Sequence, residues 1–287
     1  MTRHSLRRFP LPLALLVLSA LPASLAAWGT IDDVRYKLKG ADGNRWAHLL
    51  GQGQIVRGTE RPGTIAFTFD DGPDHRTTPV LLEQLDRHGV KAAFFVNGHR
   101  FHQRTAGGIE NQAVLRDIHR RGHFIGNHTF GHKDITTLDD EGWRIEVTQV
   151  EQTVRGITGR RPHLFRPPFG RADGQTLGRL ARDGYTVVMW NLDPLDWRAA
   201  TAEELLARTR AVVEENPEGG VLLMHDTNRN TAEAFGQVIE WLVERNARLA
   251  AEGRPGLEIV GIEHYVSRRR PRSGPIAATR ETRSGRE

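Results

Sequence analysis

Short apolar runs alternate along the chain with amphipathic stretches that have the spacing of helices. Seven runs rich in β-branched and aromatic residues predict strands at residues 64–69, 92–96, 124–126, 164–166, 186–191, 221–225 and 257–260. Strand–helix alternation of this kind is typical of a parallel sheet with right-handed crossovers. The pattern predicts an α/β fold, a distorted or incomplete (β/α) barrel of about seven parallel strands. An open doubly wound sheet is the alternative.

Two of the intervening helices have the clearest signals in the sequence. Thr201 stands three residues before Glu204, which is the spacing of a capping box. One helical face then collects Leu205, Leu206, Thr209, Val212 and Val213. The last long helix does the same with Ala234, Phe235, Val238, Ile239 and Leu242. We expect both faces to pack on the sheet.

The first residues follow a different pattern. Arg3, Arg7 and Arg8 precede an apolar run at 11–21, and small residues follow at positions 23, 24, 26 and 27. This order predicts a secretory signal peptide at 1–26, with a retained membrane anchor as the alternative, although the run is short for a span. We expect a lead-in segment at 27–62, one folded domain at 63–266, and export to the periplasm, cell envelope or exterior.

The positive charge lies at the two ends of the chain. The formal net charge is +5, but residues 1–26 hold three arginines and no acid, and residues 268–287 hold seven arginines and two glutamates. The segment between them therefore carries three more acidic than basic residues, which argues against nucleic-acid binding. The tail at 267–287 is predicted to be solvated and disordered, and could contact anionic envelope polymers.

Polar side chains stand where most of the predicted strands end: Asp70, Asp71, His128, Arg166, Asp193, Asp196, Trp197, His225 and Asp226. Each placement alone fits an ordinary polar loop. Because the carboxyl ends of parallel strands share one rim, the whole set predicts an active site.

Two histidines suggest a metal. His128 and His132 are four residues apart, as on one side of a helical turn, and a strand-end aspartate would complete a His/His/Asp set with open positions. Such a set is typical of catalytic rather than structural sites. The chain has no cysteine, so histidine and carboxylate are the ligands available to a metal.

The segments TFDDGP, H-T-x-x-H, R-P-P-F-G, D-x-x-D-W and L-x-x-H-D occur in this order. Together they resemble the five motifs of the polysaccharide deacetylases, the NodB-homology domain of carbohydrate esterase family 4. The resemblance covers residues 60–265. It implies a distorted (β/α) barrel, a divalent metal that is usually zinc, and hydrolysis of acetyl groups on an acetylated polysaccharide or oligosaccharide.

Residue by residue, the resemblance implies a division of labour. Asp70 would be the general base, paired with Arg166, and His225 the general acid, tuned by Asp196. The metal ligands would be Asp71, His128 and His132. The Phe169 backbone N–H would lie in the oxyanion hole, and Trp197 and Leu222 would line the acetyl pocket.

The substrate is predicted less sharply than the chemistry. An N-acetylglucosamine polymer such as peptidoglycan or a chitin-like glycan is the first expectation. The alternatives are O-acetyl ester hydrolysis on a xylan-like polymer, a carbohydrate-binding pseudoenzyme on the same fold, and another metal hydrolase such as an amidase or a cyclic-imide hydrolase.

Overall fold

The computed structural model describes residues 55–266. The signal peptide predicted at 1–26, most of the lead-in segment and the basic tail at 267–287 lie outside the described residues. Within 55–266, none of the helices combines the length and the apolar character that a membrane span requires.

The strands form one parallel sheet. They are β1 (Ile55–Val56), β2 (Thr64–Asp70), β3 (Ala93–Val96), β4 (Phe124–Asn127), β5 (Leu164–Phe165), β6 (Thr186–Val188), β7 (Gly219–His225) and β8 (Glu258–Ile259). The order across the sheet is β1-β6-β5-β4-β3-β2-β7, and β8 pairs with β2. The seven predicted strands are confirmed, and β1 adds an eighth from within the predicted lead-in segment.

The sheet curls into a distorted, incomplete barrel. Strands β2 to β6 follow one another in sequence order, as in a barrel, and show no reversal of the kind that defines a doubly wound sheet. The alternative of an open doubly wound sheet is therefore wrong. At the centre, every residue of β2 is buried, as expected for a parallel strand that is covered on both faces.

The side chain of Asn191, which follows β6, joins the chain to β7, an edge strand of the sheet. Its side-chain Oδ1 accepts from the Val221 N–H at 2.8 Å, and its Nδ2 donates to the Gly219 carbonyl at 2.9 Å. Leu192 then forms a parallel bridge with Leu222. A Cβ on Gly220 would lie 2.0 Å from Asn191 Oδ1, so glycine is needed for this approach. An amide side chain thus substitutes for regular strand pairing.

The helices cover the outside of the barrel: α1 (Thr78–Arg87), α2 (Gly108–Arg120), α3 (Asp140–Trp143), α4 (Gln149–Thr158), α5 (Gly174–Arg182), α6 (Ala202–Glu215), α7 (Arg229–Ala251) and α8 (Glu263–Val266). A π-helical turn, Arg144–Thr148, joins α3 to α4. On α7, Phe235 packs edge-on against Phe67 and Phe69 of β2, with ring centroids 5.1 Å apart in both pairs.

The predicted faces of α6 and α7 are buried, with Leu206 only partly so. The capping box forms in one direction. Thr201 Oγ1 accepts from the Glu204 N–H at 3.1 Å, but the Glu204 carboxylate accepts from the N–H of Ala200 instead of Thr201. The cap therefore still satisfies one free donor of the first turn.

Candidate active site

A cleft of about 1230 Å³ opens at the carboxyl ends of the strands. Six of the nine polar residues predicted to share this rim line the cleft, whereas Arg166, Asp196 and Asp226 are fully buried outside its lining. Its lining includes Asp70, Asp71, His128, His132, Phe169, Asp193, Trp197 and His225. Further lining residues that the motifs did not single out are Thr136, Arg171, Asp173, Trp190, Leu195, Leu223, Thr227 and Asn228.

The floor of the cleft holds a buried ion pair. Arg166 Nη1 donates to Asp70 Oδ1 at 2.8 Å, and both side chains are almost fully buried. The other guanidinium nitrogens donate to the carbonyls of Val188 and Met189. Burial raises the pKa of Asp70 above its ordinary value, and Arg166 offsets part of that rise. The ionised form of Asp70 therefore depends on this arginine.

Asp71 leaves the strand in a different direction. It has a φ of 72°, a left-handed conformation that is uncommon outside glycine. Gly72 follows with no room for a side chain, since a Cβ there would lie 2.0 Å from an Asp226 carboxylate oxygen. The turn aims Asp71 into the cleft, whereas Asp70 points at Arg166. The two adjacent carboxylates thus face different partners.

The two histidines are carried by an irregular loop after β4, so the predicted helical turn is wrong. Thr129 and His132 have positive φ values of 69° and 56°, which no right-handed helix contains. The loop instead folds back on the residues after β3: the Asn97 side chain donates to the His128 carbonyl, and the Gly98 N–H donates to the Thr129 carbonyl. The histidines still converge.

Three side chains offer a metal-ligand set. The ligand atoms of Asp71, His128 and His132 all lie within 4.8 Å of one another. The Nε2 atoms of His128 and His132 are 3.6 Å and 3.5 Å from Asp71 Oδ1. Asp71 Oδ1 is a buried acceptor without a hydrogen-bond partner among residues 55–266. An orphaned carboxylate oxygen between two imidazoles fits a divalent cation of the zinc type.

The tautomer of His128 suits a ligand. Its Nδ1 lies 2.6 Å from the Arg166 carbonyl, to which it donates, so a neutral ring leaves Nε2 free of a proton. Burial lowers the pKa of His128 to about 3, which keeps the ring neutral at physiological pH. Arg166 thus fixes a ligand with its backbone and a carboxylate with its side chain.

His225 sits across the cleft with the opposite charge state. Its Nδ1 donates to Asp196 Oδ1 at 2.6 Å, and its Nε2 lies 4.0 Å from Asp71 Oδ2. Burial alone would lower the pKa of His225, but the carboxylates of Asp196, Asp70 and Asp71 together raise it to about 10. Asp196 is itself held by Thr231 and the His225 N–H. The ring is therefore a protonated donor at neutral pH.

Two exposed aromatic rings flank these groups. Phe169 is 49% exposed and Trp197 is 57% exposed, so both rings are accessible to a ligand in the cleft. Leu222 departs from expectation: it is fully buried in the core, and Leu223 lines the cleft instead. Strand residues alternate faces, so the residue two before His225 shares its side, and the residue three before it does not.

Comparisons with known proteins agree with this geometry. The family model for polysaccharide deacetylase matches residues 57–188. Over 222 residues the chain is 31% identical to the peptidoglycan-N-acetylmuramic acid deacetylase PdaA of Bacillus subtilis, covering 77% of this chain and 81% of that protein. The chain belongs to the polysaccharide deacetylase family. Its fold is that of the family, which confirms the resemblance drawn from the five motifs.

Other members of the family differ in what they are named for. The chain is 30% identical to the peptidoglycan-N-acetylglucosamine deacetylase of Bacillus cereus, a match that covers 64% of this chain and 65% of that relative, just under two thirds of its length. The solved structure of a chitin deacetylase from the fungal pathogen Colletotrichum lindemuthianum superposes with a TM-score of 0.63 at 25% identity, over 75% of this chain and 92% of that one.

Proposed function

We propose that this family member is a metal-dependent hydrolase that removes acetyl groups from a carbohydrate polymer. One observation carries the proposal. The ligand set of Asp71, His128 and His132 lies between two differently charged acid–base groups, the Asp70–Arg166 pair and the His225–Asp196 pair. An amide is hydrolysed by such an arrangement, because it needs a base for the attacking water and an acid for the leaving nitrogen.

Zinc is the proposed cation, held by Asp71, His128 and His132, and when bound it supplies Lewis acidity toward the acetyl carbonyl and a lowered pKa for water. The other steps belong to the chain. Asp70, paired with Arg166, accepts a proton from the attacking water. The Phe169 backbone N–H stabilises the oxyanion. The protonated His225 Nε2 donates to the departing sugar nitrogen, while Asp196 holds the ring.

The proposed substrate is an N-acetylglucosamine unit of peptidoglycan or of a chitin-like glycan. Relatives in the family are named for peptidoglycan N-acetylglucosamine, peptidoglycan N-acetylmuramic acid and chitin. Phe169 and Trp197 offer exposed aromatic faces beside the ligand set, on which a sugar ring packs well. An exported protein with a cleaved signal peptide at 1–26, acting in the envelope, completes the proposal.

The other functions are supported less well. A pseudoenzyme needs none of the acid, base and ligand groups, yet all of them converge in the cleft. An amidase or cyclic-imide hydrolase does not account for the exposed Trp197 beside His225. O-acetyl ester hydrolysis on a xylan-like polymer would use the same groups, although an ester oxygen leaves without strong acid catalysis, so the charged His225 favours the amide.

Acetate release by the purified protein tests the proposal. Peptidoglycan, N-acetylglucosamine oligomers and acetylated xylan would each be incubated with the wild type and with Asp70→Asn. We expect free amino groups and acetate from one of the first two substrates, and neither product from the variant. Acetate from xylan alone would favour the ester reaction, and no acetate from any substrate with zinc bound would favour the pseudoenzyme.

A further inference from the structure

Glu146 is a buried carboxylate that lies outside all five motifs. Its side chain is 1% exposed. It is carried by the π-helical turn Arg144–Thr148, the one irregular turn in the helical segment from α3 to α4. Turns of this type inside helices concentrate at functional sites, and a carboxylate is costly to bury without a purpose-built partner.

The partners of Glu146 stand on either side of His132. Its Oε2 accepts from the Gly131 backbone N–H at 2.7 Å, and its Oε1 lies 3.3 Å from Lys133 Nζ. The carboxylate also packs on Gly131, where a Cβ would lie 3.3 Å from Oε1. One side chain therefore holds the residue before His132 and the residue after it.

The rest of the loop is held from elsewhere. The carbonyls of His128, Thr129 and Phe130 accept from the Asn97 side chain and from the N–H groups of Gly98 and His99. These contacts stop at Phe130. Within residues 55–266, His132 has a polar contact with Asp71, and the polar contacts of Gly131 and Lys133 are with Glu146.

The rings of His128 and His132 are supported in different ways. His128 donates through Nδ1 to the Arg166 carbonyl, the type of hydrogen bond that orients most metal-ligating histidines. For His132, the part of the chain from 55 to 266 provides no such acceptor. Apart from Asp71 Oδ1, which lies 3.5 Å from its Nε2, its ring contacts the rings of His128 and Phe169, with centroids 4.9 Å and 4.6 Å away. Its orientation therefore depends on a backbone held at a φ of 56°.

We propose that Glu146 is a positioning residue for the ligand His132. By fixing Gly131 and Lys133, it sets the direction of the strained His132 backbone and replaces the ring hydrogen bond that His132 lacks. This inference rests on the proposed function only in taking Asp71, His128 and His132 as metal ligands.

Zinc affinity of the metal-free protein, measured by competition with a chromophoric chelator, tests the inference. We expect Glu146→Ala to weaken zinc binding by about 10- to 100-fold, the usual effect of removing a residue that orients a ligand. Glu146→Gln should stay close to the wild type, since its amide oxygen still accepts from the Gly131 N–H. Glu146→Asp keeps the charge but is too short to reach Gly131, and should resemble Glu146→Ala.

Glu151→Gln is the matched control. Glu151 lies on α4, accepts from the Tyr185 hydroxyl and pairs with Arg161, so it is a half-buried, bonded carboxylate near Glu146 in sequence but outside the cleft. We expect unchanged zinc affinity in this variant. The absorption spectrum of the cobalt-substituted protein adds a readout that loss of stability would not move: Glu146→Ala should alter its bands, and Glu151→Gln should not.

The outcomes separate this inference from the metal site itself. His132→Ala should lose zinc more completely than any Glu146 variant. Wild-type zinc affinity and an unaltered cobalt spectrum in Glu146→Ala, with His132→Ala impaired, would overturn the role of Glu146 alone. Wild-type affinity in both would overturn the ligand set and this inference with it. If Glu146→Ala does not fold, Glu146→Asp against Glu146→Gln decides by the same criteria.

Discussion

The two ends of the barrel differ in which residue types adopt the left-handed backbone conformation. Among residues 55–266, the non-glycine residues with positive φ are Asp71, Thr129, His132, Phe169 and Leu195, and every one lies in a loop at the carboxyl ends of the strands. At the other end, where helices return to strands, each described residue with a positive φ is a glycine, for example Gly89, Gly122, Gly159 and Gly184. Glycine adopts this conformation without steric cost, whereas other residues do not.

Turns at one end of the barrel only connect helices to strands, whereas turns at the carboxyl ends of the strands hold residues of the candidate active site. A connecting turn can use glycine, because nothing is required of its side chain. At three of the five strained rim positions, Asp71, His132 and Phe169, the side chain is a carboxylate, an imidazole or an aromatic ring that lines the cleft. Strain tolerated at such positions is an observation from which function can be inferred. Substitutions at the two ends should therefore differ in kind as well as in size.

The largest effect is expected at the rim. Asp70→Asn keeps an oxygen for Arg166 but removes the base, so we expect kcat for acetate release to fall about 10³-fold, within the usual range for general-base catalysis. Steady-state kinetics with the zinc content measured on the same sample would check this. Near-wild-type turnover with zinc bound would remove Asp70 from the reaction.

Arg166 at the rim is fully buried, whereas Arg161 at the other end of the barrel is partly exposed. Arg166→Met leaves Asp70 without its partner, and we expect the free energy of unfolding to fall by about 3–5 kcal/mol. Arg161→Met removes a pair with Glu151 that is partly exposed, for which about 1 kcal/mol is expected. Denaturant unfolding of the metal-free proteins measures both. Equal losses would show that the rim arginine is not special.

A pH-dependent contribution is expected from the end opposite the cleft. His123 is buried before β4, and burial together with Lys91 lowers its pKa to about 4, from 6.5 in the unfolded chain. Between these values the unfolded chain binds more protons, so stability is lost as pH falls from 6.5 toward 4. The loss due to His123 should be about 2–3 kcal/mol.

His123→Asn isolates that contribution. The asparagine oxygen can accept from the Ala92 N–H, as His123 Nδ1 does at 3.2 Å. We expect the drop in unfolding free energy between pH 7 and pH 4.5, measured with chelator present, to be smaller in the variant by that amount. An identical drop in both proteins would refute the assignment to His123.

The smallest effect is expected at a connecting turn. Gly122 has a φ of 77° with nothing within 4 Å of an added Cβ, so Gly122→Ala introduces strain without a clash. We expect about 1 kcal/mol of destabilisation and unchanged acetate release. A loss of activity beyond the loss of folded protein would contradict the separation between the two ends.

The sequence predicted the strands and the rim because both follow from local patterns. The structure has a strand at each of the seven predicted runs, because parallel strands that are buried on both faces, such as β2, are mostly apolar. Asp71 and His128 were predicted to meet because strand ends share a rim, and the family resemblance implied that His132 joins them. The helical turn at 128–132 was wrong, since four-residue spacing also fits a strained loop that is held by Asn97, Gly98 and Glu146.

Other features depend on contacts that residue spacing does not encode. The family resemblance implied that Leu222 lines the pocket, although the alternation of strand faces favours Leu223. Asn191 at the barrel seam and Glu146 beneath the histidine loop act through partners 15 or more residues away. Neither residue type signals such a role, and both were visible only once the chain was folded.

Stepwise return of zinc to the metal-free protein tests the central claim most directly, with acetate release from whichever of the three test polymers is hydrolysed as the readout. We expect no acetate release in the presence of chelator, and then a rise in acetate release that saturates at one zinc per chain. Full release in chelator, or continued silence after one zinc has bound, would contradict a rim built around Asp71, His128 and His132.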